Sequence, residues 1–472
     1  MKEEQTMKKN RLFMMAGVLC AALGLGSCSN EMEEVAVPAD GATRTVTLTV
    51  SLSGGGAGTR TEYAADGAGL KVTWAAGDKL TAVSESRDFT KSTTFSLTSG
   101  AGETTATFTG EIPEDVSEGD EIRFFYPEIK QEIIDGETHY IHSDYRTQDG
   151  TLAGLSKVDA NEFSAEYSGG TLNVTSTYYT RFPSFLHFAA GTKVASAGGA
   201  ATFTISGAAA GYDYTIKDWF DGDVVVNDVT VNSDGTLAND VYIAFELGHG
   251  TFLDITVGSE KKLYSLDSYY NAGTMYNISA MSDLTEIKVG MVIASDGQFY
   301  ATASDVPDGN RAEAMVAYLG SEAEGAAHGL AIALEDLGTS YFSWNDTGID
   351  NYDMTATELV PEWAYDHYIM GLSDGWRLPS AYDWQLMFIG CGSSTTYVDE
   401  LTIDNVGMKF SYGDLRTKLK AAYGVNADVW DYGYWSSTLR SSGTAWVYFF
   451  HSGEFLDMYL SDTFHVRAVL AF

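Results

Sequence analysis

The chain has few cysteines, few prolines and few basic residues for its length. Its 472 residues include 3 Cys and 7 Pro against 49 Gly. The 28 Lys and Arg residues face 65 Asp and Glu residues, which gives a formal net charge of −37. Such an acidic surface repels phosphate backbones, so nucleic acid is excluded as a partner. Scarce proline with abundant glycine is typical of turn-rich β structure.

The N-terminus carries the pattern of an export signal. Basic residues at 8, 9 and 11 precede an apolar run, 12–25, and two small residues precede Cys28. This is the secretory pattern, and the run is shorter than the roughly 20 residues of a membrane span. Leu25-Gly26-Ser27-Cys28 also resembles the bacterial lipobox, in which the cysteine thiol is lipidated. We therefore predict a signal peptide over 1–28 with lipidation of Cys28; an ordinary signal cut near a cysteine is the alternative.

The sequence offers no zinc-binding pattern and no cysteine pair for catalysis. Cys20 leaves with the signal and Cys28 would be lipidated, so Cys391 has no partner for an intramolecular disulfide. His-Glu-x-x-His and a Cys/His cluster are both missing from the sequence, and no Ser-His-Asp order has local support. We predict that the protein is not an enzyme and that packing supplies its stability.

Alternation of polar and apolar residues predicts strands from residue 43 onward. After a polar tether, 29–42, Thr45–Leu52 alternates without a fault, with Val and Leu on one face. A glycine-rich loop follows and carries Arg60, which makes it a suitable protease target. Short strand patterns with Gly and Asp turns then repeat, which predicts two β-sandwiches, 43–175 and 176–284.

The last part, 285–472, mixes strand and helix patterns. Ser380 is a good helix N-cap, and the spacing after it predicts a helix; a second helix is predicted over Leu415–Tyr423. Four tryptophans, Trp376, Trp384, Trp435 and Trp446, are assigned to the core. Arg377 and Arg467 are predicted to form buried or half-buried ion pairs with Asp383 or Asp336.

The order of motifs over 43–283 resembles the fimbrillin family, the two-sandwich subunits of type V pili of anaerobic gut bacteria. The resemblance rests on the Thr-rich first strand, Arg60, Trp74 with Gly77-Asp78, and Ala272-Gly273 followed by Tyr276-Asn277-Ile278. In that family a lipoprotein precursor reaches the outer membrane, an Arg-specific protease removes the first strand, and a neighbouring subunit donates a strand to the groove. The resemblance implies cleavage after Arg60, or less favourably at Arg44, which is expected to precede the strand. A permanent first strand is the alternative.

The C-terminal part is similar to the Fib-succ-major type of domain and, more remotely, to the C-type-lectin-like and formylglycine-generating-enzyme fold. Gly375-Trp376-Arg377-Leu378-Pro379-Ser380, Tyr434-Trp435-Ser436 and Val466-Arg467-Ala468 carry this resemblance. The enzymes of that fold need a cysteine pair, which Cys391 cannot supply. Trp344-Asn345-Asp346 matches a Ca²⁺-binding triplet of lectins, so it is a candidate ligand loop and Ca²⁺ a possible cofactor. Its position before Gly375 and the missing companion motif leave a chance match as the alternative.

Together these patterns predict a mainly β protein with two tandem fimbrillin-like sandwiches and a C-terminal α+β lectin-like domain, 285–472. The predicted function is a cell-surface pilus tip subunit or adhesin that accepts a donor strand. Its expected partners are other pilus subunits and a glycan or protein on a host or bacterial surface. The alternative is a pilus anchor or standalone glycan-binding lipoprotein that stays on the outer membrane through its lipid.

Overall fold

The computed structural model confirms that the protein is mainly β. It describes residues 42–51, 62–66, 69–84, 88–158, 160–175, 180–181, 183–246, 251–266, 270, 274–337, 342–344, 360, 363–370, 372, 376–394, 406–423 and 432–472. Contacts group Thr43–Phe472 into one unit.

The described strands are numbered in chain order. Those before residue 182 are β1 (Thr43–Ser51), β2 (Glu62–Asp66), β3 (Gly69–Thr73), β4 (Lys79–Ser84), β5 (Thr93–Ser99), β6 (Thr105–Pro113), β7 (Glu121–Tyr126), β8 (Lys130–Ile134), β9 (Glu137–Asp144), β10 (Thr147–Gln148), β11 (Asn161–Ser168), β12 (Thr171–Val174) and β13 (Thr180–Arg181). Those from 184 to 286 are β14 (Ser184–Phe188), β15 (Gly199–Ser206), β16 (Ala209–Asp213), β17 (Asp218–Asp221), β18 (Val224–Val231), β19 (Val241–Phe245), β20 (Phe252–Val257), β21 (Glu260–Ser265), β22 (Met275–Ile278) and β23 (Thr285–Glu286).

The remaining strands are β24 (Val292–Ala294), β25 (Phe299–Tyr300), β26 (Ala312–Leu319), β27 (Gly329–Ala333), β28 (Trp376–Arg377), β29 (Gly433–Ser441), β30 (Thr444–Phe449), β31 (Glu454–Tyr459) and β32 (Val469–Ala471). The helices are α1 (Ala381–Gly390) and α2 (Leu415–Tyr423), with short 3₁₀ turns at Phe89–Lys91, Gly154–Lys157, Met281–Asp283 and Ala303–Asp305. Residues 363–366 are also helical.

The first sheet closes on itself. Its strand order is β12-β1-β6-β5-β4-β7-β11-β13, and β12 pairs with β11 as well as with β1, so seven strands form a ring. Inside the ring lies an apolar core that includes Trp74, whose ring meets Phe108 edge to face at 4.8 Å. The closure leaves β1 with a neighbour on each side, β6 and β12.

The second apolar core lies between two sheets, as expected of a sandwich. One sheet has the order β10-β18-β15-β20-β21-β23 and the other β19-β14-β22. Their inward side chains, such as Phe203, Ile205, Leu253 and Ile243, form one buried cluster. A further sheet, β17-β16-β9-β8, joins strands from both sides of residue 175. Strands on the two sides of residue 175, and on the two sides of residue 284, thus pair within common sheets. The domain limits at these residues stay predictions.

The C-terminal residues are built around the six-stranded sheet β25-β24-β26-β27-β32-β28, with β29-β30-β31 as a second sheet. Apolar cores cover both sides of it, and one of them contains α1 and α2. Both helices have the predicted positions, and Ser380 caps α1 by accepting the Asp383 N–H at 3.0 Å. All four tryptophans assigned to the core are buried, as predicted.

The C-terminal core extends onto the outer face of the second sandwich. Phe252 and Leu263 come from β20 and β21, yet they pack in the cluster that contains Phe299 and Phe472. The ring of Phe252 lies 5.9 Å from both of those phenylalanines. Apolar side chains on the outside of a sandwich sheet thus become interior at this junction.

Two expectations about strands are wrong. The alternation over 241–247 predicts a strand with two different faces, but all five residues of β19 are buried. The amide of Gln148 pairs with the backbone of this strand, accepting from the Ala244 N–H at 2.9 Å and donating to the Ala244 carbonyl at 2.6 Å. The pattern of residues 464–470 also predicts a closing strand, but the strand covers only Val469–Ala471, and Phe464 and His465 form isolated bridges.

Candidate functional site

The first candidate site is the place of β1 in the closed sheet. β1 pairs antiparallel with β6 along its whole length, from Thr43 opposite Pro113 to Ser51 opposite Thr105. On its other side only two register pairs, at Thr47 and Leu48, join it in parallel to β12. The ring therefore closes through its shortest pairing, the two register pairs between β12 and β1, the strand predicted to be removed.

The inward face of β1 fills a row of apolar positions. Val46, Leu48 and Val50 are buried, while Thr45, Thr47 and Thr49 are exposed, so the predicted alternation is confirmed for these residues. Leu52 lies outside the described residues. The three side chains pack in the core formed by the other strands of the ring.

Gly110 lies opposite Val46 and shows how tightly this row is built. A Cβ atom placed on Gly110 would lie only 2.4 Å from the ring of Phe95. Only glycine therefore lets that ring reach under β1. The space beneath β1 is thus shaped by its neighbours as well as by its own side chains.

Arg44 does not precede the strand, as the sequence analysis expected, but is its second residue. Its guanidinium donates to the carbonyl of Val116 and lies 4.3 Å from the ring centroid of Tyr167. A protease needs an unpaired, accessible backbone segment, which Arg44 lacks while β1 is in place. Arg60 and Cys28 lie outside the described residues, so their processing stays a prediction.

The second candidate site is the predicted ligand loop Trp344-Asn345-Asp346, of which the structure describes Trp344. The Trp344 backbone N–H donates to Leu460 at 3.0 Å, and its indole N–H donates to the carbonyl of Ser436 at 2.8 Å. Trp344 is therefore anchored in the fold at the start of the loop. Asn345 and Asp346 lie outside the described residues. Among the described residues, no group of three or more His, Cys, Asp or Glu is arranged to hold a metal ion, and the role of Ca²⁺ stays a prediction.

Two arginine–aspartate pairs support the C-terminal domain, and both were predicted. Arg377 holds both oxygens of Asp383, with one Nη2–Oδ1 distance of 2.8 Å, and the same carboxylate accepts the Ser380 N–H at 2.6 Å. Arg377 thereby fixes the start of α1.

Arg467 is almost fully buried and holds Asp336, with its Nε 2.6 Å from Oδ1. Tyr434 donates its hydroxyl to the other carboxylate oxygen at 2.9 Å, and His465 lies 3.4 Å from it. Burial by itself raises the pKa of Asp336, but the charge of Arg467 and hydrogen bonds from His465, Arg467 and Tyr434 outweigh it and hold that pKa below its ordinary value. The buried charge of Arg467 is thus paired with a carboxylate that other groups also hydrogen-bond.

The structure brings together a Ser, a His and an Asp that the sequence did not connect. Ser206 Oγ lies 2.6 Å from His328 Nε2, and His328 Nδ1 lies 3.2 Å from Asp254. This is the order of contacts in a nucleophilic triad. All three are buried at the sandwich junction, with the ring of Phe252 4.7 Å from that of His328. A nucleophile must be open to its substrate, so the arrangement fits a tie between the two parts of the chain.

The free thiol of Cys391 is also unsuited to chemistry. It is buried against the carbonyl of Ala317, 3.6 Å from Sγ, and burial raises its pKa to about 12. At neutral pH it remains a thiol, which is a poor nucleophile.

No known protein family matches the chain, and no curated protein is similar to it. Among solved structures, a fimbrial protein from Bacteroides ovatus aligns over 85% of this chain and 95% of its own at 11% identity, with a TM-score of 0.27. A candidate cell adhesion protein from Bacteroides uniformis aligns over 53% of this chain and 98% of its own at 15% identity, with a TM-score of 0.30. At such scores these likenesses do not establish a shared fold or function. No helix within the described ranges is long and apolar enough to cross a membrane.

Proposed function

We propose that the protein is an exported surface subunit of a pilus-type fibre that accepts a strand from a neighbour in place of β1. The observation that supports the proposal is the setting of β1, an alternating strand that closes a ring whose other six strands follow it in sequence. A strand at the start of the chain can leave without threading through the fold.

Loss of β1 would open a site suited to strand addition. β6 would present the backbone N–H and C=O groups that now pair with the nine residues of β1. Three apolar positions, now filled by Val46, Leu48 and Val50, would be empty. Backbone pairing gives such a site affinity and the side-chain positions give it specificity, as in other cases of β-strand addition.

The same chain is poorly suited to donate a strand. After the second sandwich, β23 pairs with β21 and the chain runs on into β24 of the next sheet. The last described strand, β32, lies between β27 and β28 inside a six-stranded sheet. We therefore propose that this subunit lies at the tip of the fibre, with its C-terminal part presented outward to a surface ligand.

The proposal is tested by cutting the chain and offering it a strand. Full-length processed protein is treated with an Arg-specific protease, the protease is inhibited, and the protein is then incubated with a fluorescent peptide of sequence 43–52. We expect stable uptake of the peptide only after cleavage, and none by an Arg60→Gln variant. A peptide with Asp in place of Leu48 is the matched control and should not enter. Cleaved protein that retains its own β1 and excludes the peptide, even after prolonged incubation, would contradict the proposal.

Processing on the cell decides between the tip and the anchor. N-terminal sequencing of the protein from sheared surface fibres should give a start at Thr61 if the strand is removed. A lipidated Cys28 on the fibre-associated protein would instead support the permanent strand, and with it the anchor or the standalone lipoprotein.

A further inference from the structure

Residues 363–370 present large side chains to solvent on the C-terminal domain. Tyr365 is 87% exposed, Tyr368 54% and Met370 38%. We call these three residues the tyrosine surface. Single exposed apolar residues are common, but aromatic side chains gathered within one short segment are typical of interaction sites.

The backbone beneath the tyrosine surface is held in place from several sides. His367, between the two tyrosines, has its Nδ1 2.7 Å from the buried carboxylate of Glu313. Its ring stacks on Trp363 with centroids 3.7 Å apart, and its carbonyl accepts the indole N–H of Trp376 at 3.1 Å. The segment is therefore fixed although its outward rings are exposed.

Two further contacts secure the flanks of this segment. The Met370 N–H donates to the carbonyl of Ser295 at 3.1 Å, and Arg311 donates to the carbonyl of Asp366. Rings presented on a fixed backbone lose little conformational entropy on binding, which is the property of a hot-spot residue. Polar contacts thus hold the backbone of this segment, while the side chains of the tyrosine surface stay exposed.

The charge around the tyrosine surface selects the partner. Asp366 is exposed between the two tyrosines, and Asp296 lies on the turn against which Met370 packs. The one cation described in these contacts, Arg311, is matched by Glu313 at 2.9 Å. Aromatic faces are electron-rich and attract cations, as do the carboxylates and the chain's net charge of −37.

We propose that the tyrosine surface binds a Lys- or Arg-rich segment of a partner protein. Its cationic groups would lie over the faces of Tyr365 and Tyr368, and Asp366 would supply a counter-charge. This inference deepens the proposed function by naming the partner class of the outward domain. It does not depend on strand exchange, because the surface is complete in the uncut chain.

The test measures binding of the uncut, full-length protein to a fluorescent Arg-rich decapeptide at moderate salt. The double variant Tyr365→Ala/Tyr368→Ala should weaken binding by about 5- to 30-fold, since an exposed cation–π contact contributes about 0.5–1 kcal/mol. Tyr459→Ala is the matched control, because Tyr459 is 69% exposed on β31, and it should leave the affinity unchanged. The double Phe variant keeps both π faces and should bind like the parent.

Other results would overturn the inference. Equal losses in the Tyr459 control would show attraction to the acidic surface in general. Loss in the double Phe variant would assign binding to the hydroxyl groups instead of the rings. Failure to bind the peptide, together with tyrosine-dependent retention on immobilised neutral glycans, would assign the surface to a sugar. None of these outcomes bears on whether a strand enters after cleavage.

Discussion

Replacement of Leu48 by Ala is the most direct test of how β1 is held. Leu48 is fully buried, pairs with Phe108 of β6 and Leu172 of β12, and so touches both neighbours of its strand. Burying a leucine contributes about 1.5–3 kcal/mol, and the cavity left by truncation raises the loss to about 2–5 kcal/mol. We expect the upper part of that range, because paired strands on both sides cannot collapse into the space.

Hydrogen exchange of the uncut protein, followed by mass spectrometry of peptides from β1 and β6, measures this loss locally. A loss of about 4 kcal/mol in the free energy of opening should speed exchange by roughly 1,000-fold. Thr49→Ala is the control: Thr49 is exposed, its hydroxyl makes only a 3.4 Å contact with Thr107, and such surface changes stay within about 0.5 kcal/mol. If both variants exchange equally fast, the inward side chains do not hold β1, and the proposed selection of an incoming strand by its apolar residues is wrong.

Three further predictions concern groups in the interior. Asp336→Asn leaves the buried guanidinium of Arg467 without its counter-charge and should lower the free energy of unfolding by about 3–5 kcal/mol in denaturant melts. Replacing both residues of the pair, Asp336 by Leu and Arg467 by Met, should lower it much less. Burial raises the pKa of Glu246 from 4.5 to about 7. The contribution of this group to the free energy of unfolding is therefore greatest below pH 4.5 and is lost as the pH rises through 7. Glu246→Gln should remove this pH dependence from thermal melts, and an unchanged pH profile would contradict the prediction. His328→Ala removes the tie between Ser206 and Asp254 and should cost about 1–3 kcal/mol, measured as faster exchange in β20 and β27; no change there would refute the tie.

Much of the C-terminal domain could be predicted because its signals are local. Ser380 and Asp383 are three residues apart, which is the spacing of a capping box, and Arg377 lies close enough in sequence to reach the same carboxylate. Asp336 was predicted as one of two partners for the arginines, and its ion pair with Arg467 is confirmed although the two residues are far apart in sequence. Asp336 was a candidate because a buried arginine needs a negatively charged partner.

Features that depend on distant contacts could not be predicted. Closure of the first sheet rests on two parallel register pairs between β1 and β12, and such a short pairing leaves no pattern in either strand. Phe252 looks like an inward residue of a sandwich strand, yet it packs against Phe472 because residues from the C-terminal part of the chain cover that face. The tyrosine surface could not be predicted either, because nothing in the sequence distinguishes Tyr365 and Tyr368 from aromatic residues of the core, whereas the structure exposes both.

Under the proposed strand exchange, the pairing of β1 predicts the order in which its two edges would separate. Its two register pairs with β12 must separate at far lower cost than the pairing with β6 that runs from Thr43 to Ser51. The ring would therefore open first along β12, which exposes one edge of β1 while β6 still holds the other. An incoming strand would then replace β1 along β6, residue by residue, and it must place apolar side chains at the positions of Val46, Leu48 and Val50 to match what is lost. A neighbour that lacks three apolar residues in strict alternation would consequently fail to displace β1, whatever its affinity for the backbone edge.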